Sequence, residues 1–288
     1  MRVLLVPLTL IALGLLVLAA WFYFIPAFAG DIAVPASFEV AGFTVHYYGL
    51  LLAAGILAAF LVAANFADRA GLSASYVEEL LPWLVVFGFL GARLYFVIFS
   101  WPHFRQDPLE ILQIWKGGLS IYGGIAGAVL GVFIFARRKF LSAARLLDLA
   151  AVSAPLAQCI GRFGNFFNEE AFGSPTNLPW KMYVSASRRP AEYLEQRFFH
   201  PAFLYEALWN FLVFWVMITL AKRHLSAKKP GILLVVYMIL YSMGRFFTER
   251  FRLDSFILQG VKVDQIAALA GILIGLILFY RAGKHYST

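Results

Sequence analysis

The hydrophobic positions of this chain fall into eight long runs, near residues 3–28, 47–67, 80–100, 118–136, 146–168, 203–221, 231–248 and 263–280. About 20 residues at ~1.5 Å rise carry an α-helix across the hydrocarbon core of a bilayer, and each run is long enough to do so with some tilt. The pattern predicts an all-α polytopic integral membrane protein of about eight transmembrane helices. The first run has a second reading, as a signal segment, because Arg2 precedes it and Ala27-Phe28-Ala29 resembles a cleavage site. Its apolar stretch exceeds a typical signal-peptide core, so an extra N-terminal helix over residues 1–30 is the favoured reading. The longest inter-run segment, about 169–202, is rich in Pro, Ser and aromatic residues and is expected to form a small external head.

Composition agrees. The chain is 61% hydrophobic and 14% charged, where a soluble domain carries about 25% charged residues. The net charge of +8 needs no nucleic acid to explain it, because cytoplasmic loops of membrane proteins collect Lys and Arg. With the N-terminus placed in the cytoplasm, the loops on that side hold twelve basic residues, including Arg137, Arg138, Lys139, Lys228 and Lys229. The opposite loops are about twice as long, yet hold nine, nearly balanced by ten acids. Both termini are therefore expected in the cytoplasm.

The single cysteine, Cys159, rules out an internal disulfide and any metal site built on Cys pairs. No Walker, HExxH or GxSxG pattern is present. Gly123, Gly127 and Gly131, spaced by four, line one helix face and suit close helix packing. Gly117-Gly118 and Gly123-Gly124 bracket the entrance of the same run and have a second reading as backbone offered to a ligand.

Candidate chemistry comes from charge inside apolar runs. Arg93, Arg162 and Arg245 lie within or at the ends of spans, where a charge costs about 2.5–3.5 kcal/mol and is functional by default. Arg93 has an equally weighted structural reading, next to Gly91-Ala92. The densest polar cluster is GRFGNFFNEEAFG at 161–173. If helical, Arg162 and Asn165 share a face, and Gly161 and Gly164 leave room beside them. Tyr241, Arg245 and Glu249, four apart, form a stripe in which Glu249 either pairs structurally with Arg245 or joins a site. Further clusters begin other runs: His46-Tyr47-Tyr48-Gly49, and His200 to Glu206. Under the loop assignment all of them map to the external half. Two arginines there favour an anionic ligand, and its approach from lipid favours a phospholipid headgroup.

These residues resemble a known family, the bacterial prolipoprotein diacylglyceryl transferases. The resemblance rests on GRFGNFFNEEAFG, with HYYGL at 46–50, GGLSIYGG at 117–124, HPAFLYE at 200–206 and YSMGRFFTERFR at 241–252; it covers roughly residues 38 to 280 and implies a transferase domain of 38–288. It implies transfer of the diacylglyceryl group of phosphatidylglycerol to the lipobox cysteine thiol of a prolipoprotein, with glycerol phosphate released. It implies a multi-pass protein of the bacterial cytoplasmic membrane, with its site toward the periplasmic side. It points to Tyr48, Arg162, Asn165, Gly173, Tyr241 and Arg245 as functional, with Glu170 and Glu249 at acidic positions of the family. His46 and Tyr122 join the expected phosphatidylglycerol-binding set. The chain departs from the pattern at Tyr122, where some members carry His, and at Phe203, where a polar residue is familiar. A universal histidine base is thereby put in question, and Glu170, His46 and Tyr122 stay open as proton acceptors.

The implied chemistry alkylates sulfur and calls for no metal or redox cofactor. The expected partners are phosphatidylglycerol, signal peptides with a lipobox cysteine, and surrounding lipid. No nucleic acid is expected, and a monomer is the working assumption. Two other classes fit the intramembrane arginines alone. An anion transporter predicts inverted repeats, which the sequence lacks, and a non-catalytic scaffold predicts that whole ion pairs tolerate neutral replacement.

Overall fold

A computed structural model describes residues 21–225, 229–255 and 257–285. Most of the first predicted run, through residue 20, lies outside the described residues; residues 21–29 are helical and are labelled α1. Among the described residues seven helices are long and apolar enough to cross a membrane. They are α2 (Tyr47–Phe66), α3 (Ala74–Phe99), α5 (Ile121–Lys139), α6 (Ala143–Phe167), α7 (Ala202–His224), α8 (Ile232–Glu249) and α9 (Val263–His285). A single turn, α4 (Trp101–Phe104), follows α3. The chain is thus an all-α polytopic membrane protein.

Helix α3 begins six residues before the apolar run that predicts it, because Ser73 caps it. The Ser73 side chain accepts a hydrogen bond from the Ser75 backbone N–H at 3.3 Å, satisfying a donor that the helix start leaves open. Its first turns carry Glu78 and Glu79, which hide the helix from a hydropathy reading. The strands are short. β1 (Ser37–Val40) pairs antiparallel with β2 (Phe43–His46), with Ser37 opposite His46. β3 (Met182–Tyr183) pairs with β4 (Phe198–Phe199), and β5 (Ile257–Leu258) with β6 (Val261–Lys262).

The described fold divides into two compact units. The first takes in the chain up to Gly55, Gln158–Asn210 and Ser242–Ala270; the second takes in Ile56–Ala157, Phe211–Tyr241 and the chain from Gly271.

In the second unit α3 and α5 meet backbone to backbone. A Cβ on Gly127 would lie 2.1 Å from the Phe87 carbonyl oxygen, and one on Gly123 would lie 2.3 Å from that of Gly91. Only glycine fits there, so the four-residue spacing is a packing seam. The same unit contains Arg93, which is 8% exposed. It donates to the carbonyls of Glu110 (2.6 Å), Ile111 (2.9 Å), Gly117 (2.7 Å) and Gly118 (3.0 Å). Its guanidinium thus satisfies a loop whose carbonyls would otherwise be left open within the protein. Buried Asp148 on α6 accepts from the backbone N–H groups of Gly231 (2.6 Å) and Leu234 (2.9 Å), capping the start of α8.

The core of the first unit is aromatic. Ala27, Phe166, Phe172, Met182, Val184, Phe199 and Phe203 are buried together. Phe24 and Phe28 of α1 set their rings 4.9 and 5.7 Å from Phe166, and Phe166 sits 5.5 Å from Phe203 of α7. The 169–201 segment is anchored to this core by Phe172, Met182, Val184 and Phe199.

Candidate functional site

The motif at 161–173 forms the last two turns of α6 and the loop that leaves it. The helix places Arg162 and Asn165 one turn apart and ends at Phe167. Beyond it Glu169 and Ala171 take φ of +49° and +54°, a left-handed conformation that costs non-glycine residues of order 1 kcal/mol or more. Hydrogen bonds hold the turn. The Glu170 N–H donates to the Asn165 carbonyl at 2.9 Å. The Glu170 carboxylate accepts from the amides of Asn165 (2.8 Å) and Asn168 (3.2 Å), and that of Glu169 accepts from the Ser185 hydroxyl. The acids of the motif therefore brace its exit. A cleft of about 280 Å³ opens beside them, lined in part by Glu169, Glu170, Arg188 and Asp254.

The two glycines of the motif differ. A Cβ on Gly161 meets nothing within 4 Å, whereas one on Gly164 would lie 2.7 Å from Tyr48 Cδ2. The room expected beside Arg162 is thus occupied at Gly164 by the Tyr48 ring. The neighbouring Tyr47 stacks on Phe167 at 4.5 Å, and His46 is exposed at the end of β2. Gly173 ties three segments together. Its N–H donates to the His200 carbonyl at 2.8 Å, and Ser174 N–H donates to the Phe251 carbonyl at 2.8 Å. A Cβ on Gly173 would lie 2.7 Å from that Phe251 oxygen. Gly173 also bridges Arg252 in antiparallel register.

Charge converges on Glu206, in the first turns of α7. Its carboxylate is 5% exposed and lies 2.5 Å from Arg162, 3.3 Å from Arg245 and 2.9 Å from Arg252. Each guanidinium has a different second environment. Arg245 also meets Asp264 at 2.5 Å and Glu249 at 2.8 Å. Arg252 also meets Asp254 at 2.6 Å. For Arg162, Glu206 is the one carboxylate in ion-pair contact among the described residues. Glu249 is fully buried. Both its carboxylate oxygens lack a hydrogen-bond partner among the described residues, so its contact with Arg245 is a charge contact without hydrogen-bond geometry. Lys262 closes the cluster by donating to the backbone carbonyls of Glu249 (2.7 Å) and Arg252 (2.6 Å). Burial pushes the Lys262 ammonium down. Burial opposes the charge on Arg252 too, but its hydrogen bond to Asp254 and the charge of Glu206 outweigh that and hold its pKa above the ordinary range.

The sequence of YSMGRFFTERFR at 241–252, together with the match at HPAFLYE, belongs to a recognisable set. The profile of the prolipoprotein diacylglyceryl transferase family matches residues 35–281. The chain belongs to that family. A phosphatidylglycerol–prolipoprotein diacylglyceryl transferase of Nostoc sp. is 42% identical over 245 residues, covering 84% of this chain and 87% of its own. Enzymes of the same name from Synechococcus elongatus (38% over 246 residues, 84% and 85% covered) and Fervidobacterium nodosum (39% over 276 residues, 95% and 93% covered) are similar to it. The family match includes the whole arginine cluster and leaves α1 outside.

Within this family member, the sequence-derived residues separate into groups. Arg162, Asn165, Glu170, Gly173, Tyr48, His46, Arg245 and Glu249 belong to the first unit. Of these, Arg162 and Arg245 share Glu206, and Glu249 pairs with Arg245. Tyr122 and Tyr241 belong to the second unit. Tyr122 is 54% exposed, its ring 6.3 Å from Tyr95. Tyr241 is one turn before Arg245 on α8, its ring 5.8 Å from Tyr237. Arg93 serves the loop described above. Cys159 is a partly buried free thiol on α6. Three members of the cluster carried no role in the sequence reading: Glu206, Arg252 and Asp264. The first two lie inside quoted motifs, but nothing in local spacing links them.

Proposed function

We propose that this chain transfers the diacylglyceryl group of phosphatidylglycerol to the lipobox cysteine thiol of a prolipoprotein. The observation that carries this reading is the convergence of Arg162 and Arg245 on one buried carboxylate, within helices apolar enough to span a membrane. Converging guanidinium groups suit a phosphate, because their planar forks match its oxygens. Family membership and the names of the relatives supply the two substrates.

In this reading Arg162 and Arg245 hold the phosphodiester. The cysteine sulfur attacks the glyceryl carbon that bears the phosphate ester. A carbon–sulfur bond forms, the carbon–oxygen bond breaks, and its electron pair goes to the departing glycerol phosphate. The guanidinium groups stabilise that charge as it develops, and their field favours the thiolate, whose free thiol has pKa near 8.5. The thiol proton leaves to His46 or Glu170, the candidate acceptors that lie in the same unit as the arginines. Asn165 and Glu170 keep the exit of α6 in place beside Arg162, Tyr48 packs against Gly164, and Gly173 positions Arg252 by its backbone. Tyr241 donates to a phosphate oxygen, and Glu249 orients Arg245.

A single copy of the chain carries every group this scheme uses. In this reading the chain lies in a bacterial cytoplasmic membrane, and the positive-inside pattern supports a site on its external side, where exported prolipoproteins appear. The test is the purified protein with phosphatidylglycerol and a lipobox peptide. The peptide should gain the mass of a diacylglyceryl group, with one glycerol phosphate released per peptide modified. Folded protein that produces neither overturns the reading.

A further inference from the structure

Glu206 occupies the point at which three guanidinium groups meet. Its Oε2 faces Arg162 at 2.5 Å, and its Oε1 faces Arg252 at 2.9 Å and Arg245 at 3.3 Å. These cations come from the end of α6, from α8 and from the loop after α8. A phosphate oxygen held by Arg162 and Arg245 together would need the same ground. We infer that Glu206 is an internal anion that keeps the phosphate's seat, and that the substrate phosphate displaces it. This rests on the proposed phosphate role of Arg162 and Arg245.

Charge accounting supports an exchange over simple addition. The cluster holds Arg162, Arg245, Arg252 and Lys262 against Glu206, Glu249, Asp254 and Asp264. It is formally neutral as it stands. A phosphodiester added without displacement brings a surplus negative charge beside a carboxylate that is 5% exposed, where like charges repel strongly. Displacement moves the Glu206 carboxylate away from the phosphate and so relieves the repulsion between the two anions. The remaining contacts are arranged to survive it. Arg245 keeps Asp264 and Glu249, and Arg252 keeps Asp254, so both guanidinium groups stay anchored when Glu206 withdraws. Arg162 has no second carboxylate in ion-pair contact among the described residues, so it is the cation most completely transferred to the phosphate. Glu206 is thus a positioning residue: it pre-orients the donors and offsets their mutual repulsion in the empty site. Its removal should trade catalytic rate for tighter anion binding.

The experiment measures competitive inhibition by glycerol 1-phosphate, together with kcat and KM for phosphatidylglycerol, in the full-length protein. Glu206→Gln keeps the shape and removes the charge. Its inhibition constant should fall about tenfold, within the usual range of coupling between sites. KM should fall with it, and kcat should fall because the guanidinium groups lose their fixed orientation. A Glu206→Gln protein of normal thermal stability whose inhibition constant is unchanged or higher overturns the exchange. If that variant does not fold, Glu206→Asp decides, because its shortened carboxylate competes less well and should also tighten glycerol 1-phosphate; no tightening overturns the exchange. Arg162→Lys and Arg245→Lys separate the two levels. If neither weakens glycerol 1-phosphate, the phosphate seat itself is wrong. If both weaken it and the Glu206 variants do not tighten it, the exchange alone fails.

Discussion

Tyr48 fills the side-chain space that Gly164 leaves open, its Cδ2 lying 2.7 Å from where a Cβ on Gly164 would stand. A methyl group there must push either the ring or α6. Overpacking of this kind costs about 1–3 kcal/mol, and the displaced helix turn carries Arg162 and Asn165. Gly164→Ala should therefore lower both thermal stability and transfer rate. Gly161→Ala, one turn earlier and facing open space, should be neutral or stabilise by up to ~1 kcal/mol through helix propensity. Equal effects of the two substitutions on melting temperature and rate would remove Tyr48 from the explanation.

Arg162→Lys and Arg245→Lys should each retain insertion and folding but lose roughly 100- to 1,000-fold in transfer rate, the usual cost of one preorganised donor. The structure also bears on the scaffold alternative. Arg245 touches Glu206 and Asp264 as well as Glu249, so Arg245→Met with Glu249→Leu takes a cation from two further carboxylates that the double change does not neutralise. That double variant should stay inactive. Near-normal transfer by it, at normal membrane yield, would restrict Arg245 to a structural role.

Arg93 should separate from the other intramembrane arginines by phenotype. It donates to four loop carbonyls and has no carboxylate in ion-pair contact among the described residues. Each carbonyl left without a donor costs ~1–3 kcal/mol where water is excluded. Arg93→Gln should lower melting temperature and membrane yield, while the rate per folded molecule stays within a few-fold of wild type. A stable Arg93→Gln protein with rate loss matching Arg162→Lys would place Arg93 in the chemistry.

His200 should set an acid limit to the protein's stability. Trp180 donates its indole N–H to the Tyr205 hydroxyl at 2.8 Å, and that hydroxyl lies 3.0 Å from His200 Nδ1. On a neutral ring with Nδ1 unprotonated, that nitrogen accepts from the hydroxyl, which the indole in turn supports as an acceptor. Burial lowers the His200 pKa from its ordinary value. Below about pH 6.5, the ordinary histidine value, the unfolded chain binds the proton and the folded one resists it. Stability should fall with decreasing pH until the folded pKa is passed. Melting temperature recorded from neutral to mildly acid pH should show this slope, and His200→Gln should flatten it. An unchanged slope in the variant assigns the acid limit to other groups.

A reporter active only in the cytoplasm should work when fused after Lys139 or Lys229 and stay silent when inserted near Ser187. The motive is the basic-residue bias of the loops. The reverse pattern would put the arginine cluster on the wrong side for exported substrates.

The chain's own order of residues already specified seven of these helices, because a span is a local property: an apolar run of sufficient length satisfies its own backbone wherever it lies. Local spacing also foretold the Arg245–Glu249 pair and the glycine seam, since residues four apart share a helix face. It did not foretell the six residues of α3 before its apolar run, where polar side chains conceal a capped helix start. The motifs named a site by resemblance, with Arg162 and Arg245 in it, but left Glu206, Arg252 and Asp264 without roles. The cluster joins positions 162, 206, 245, 252 and 264, and no spacing rule connects them. Arg93 illustrates the same limit: its position in an apolar run left a functional and a structural role equally weighted, and its partners are loop carbonyls 17 to 25 residues away. Which carboxylate or carbonyl meets a guanidinium depends on how helices rotate and slide against one another. That is decided by packing across the whole fold, through contacts such as Tyr48 on Gly164 and the backbone pairing at Gly173.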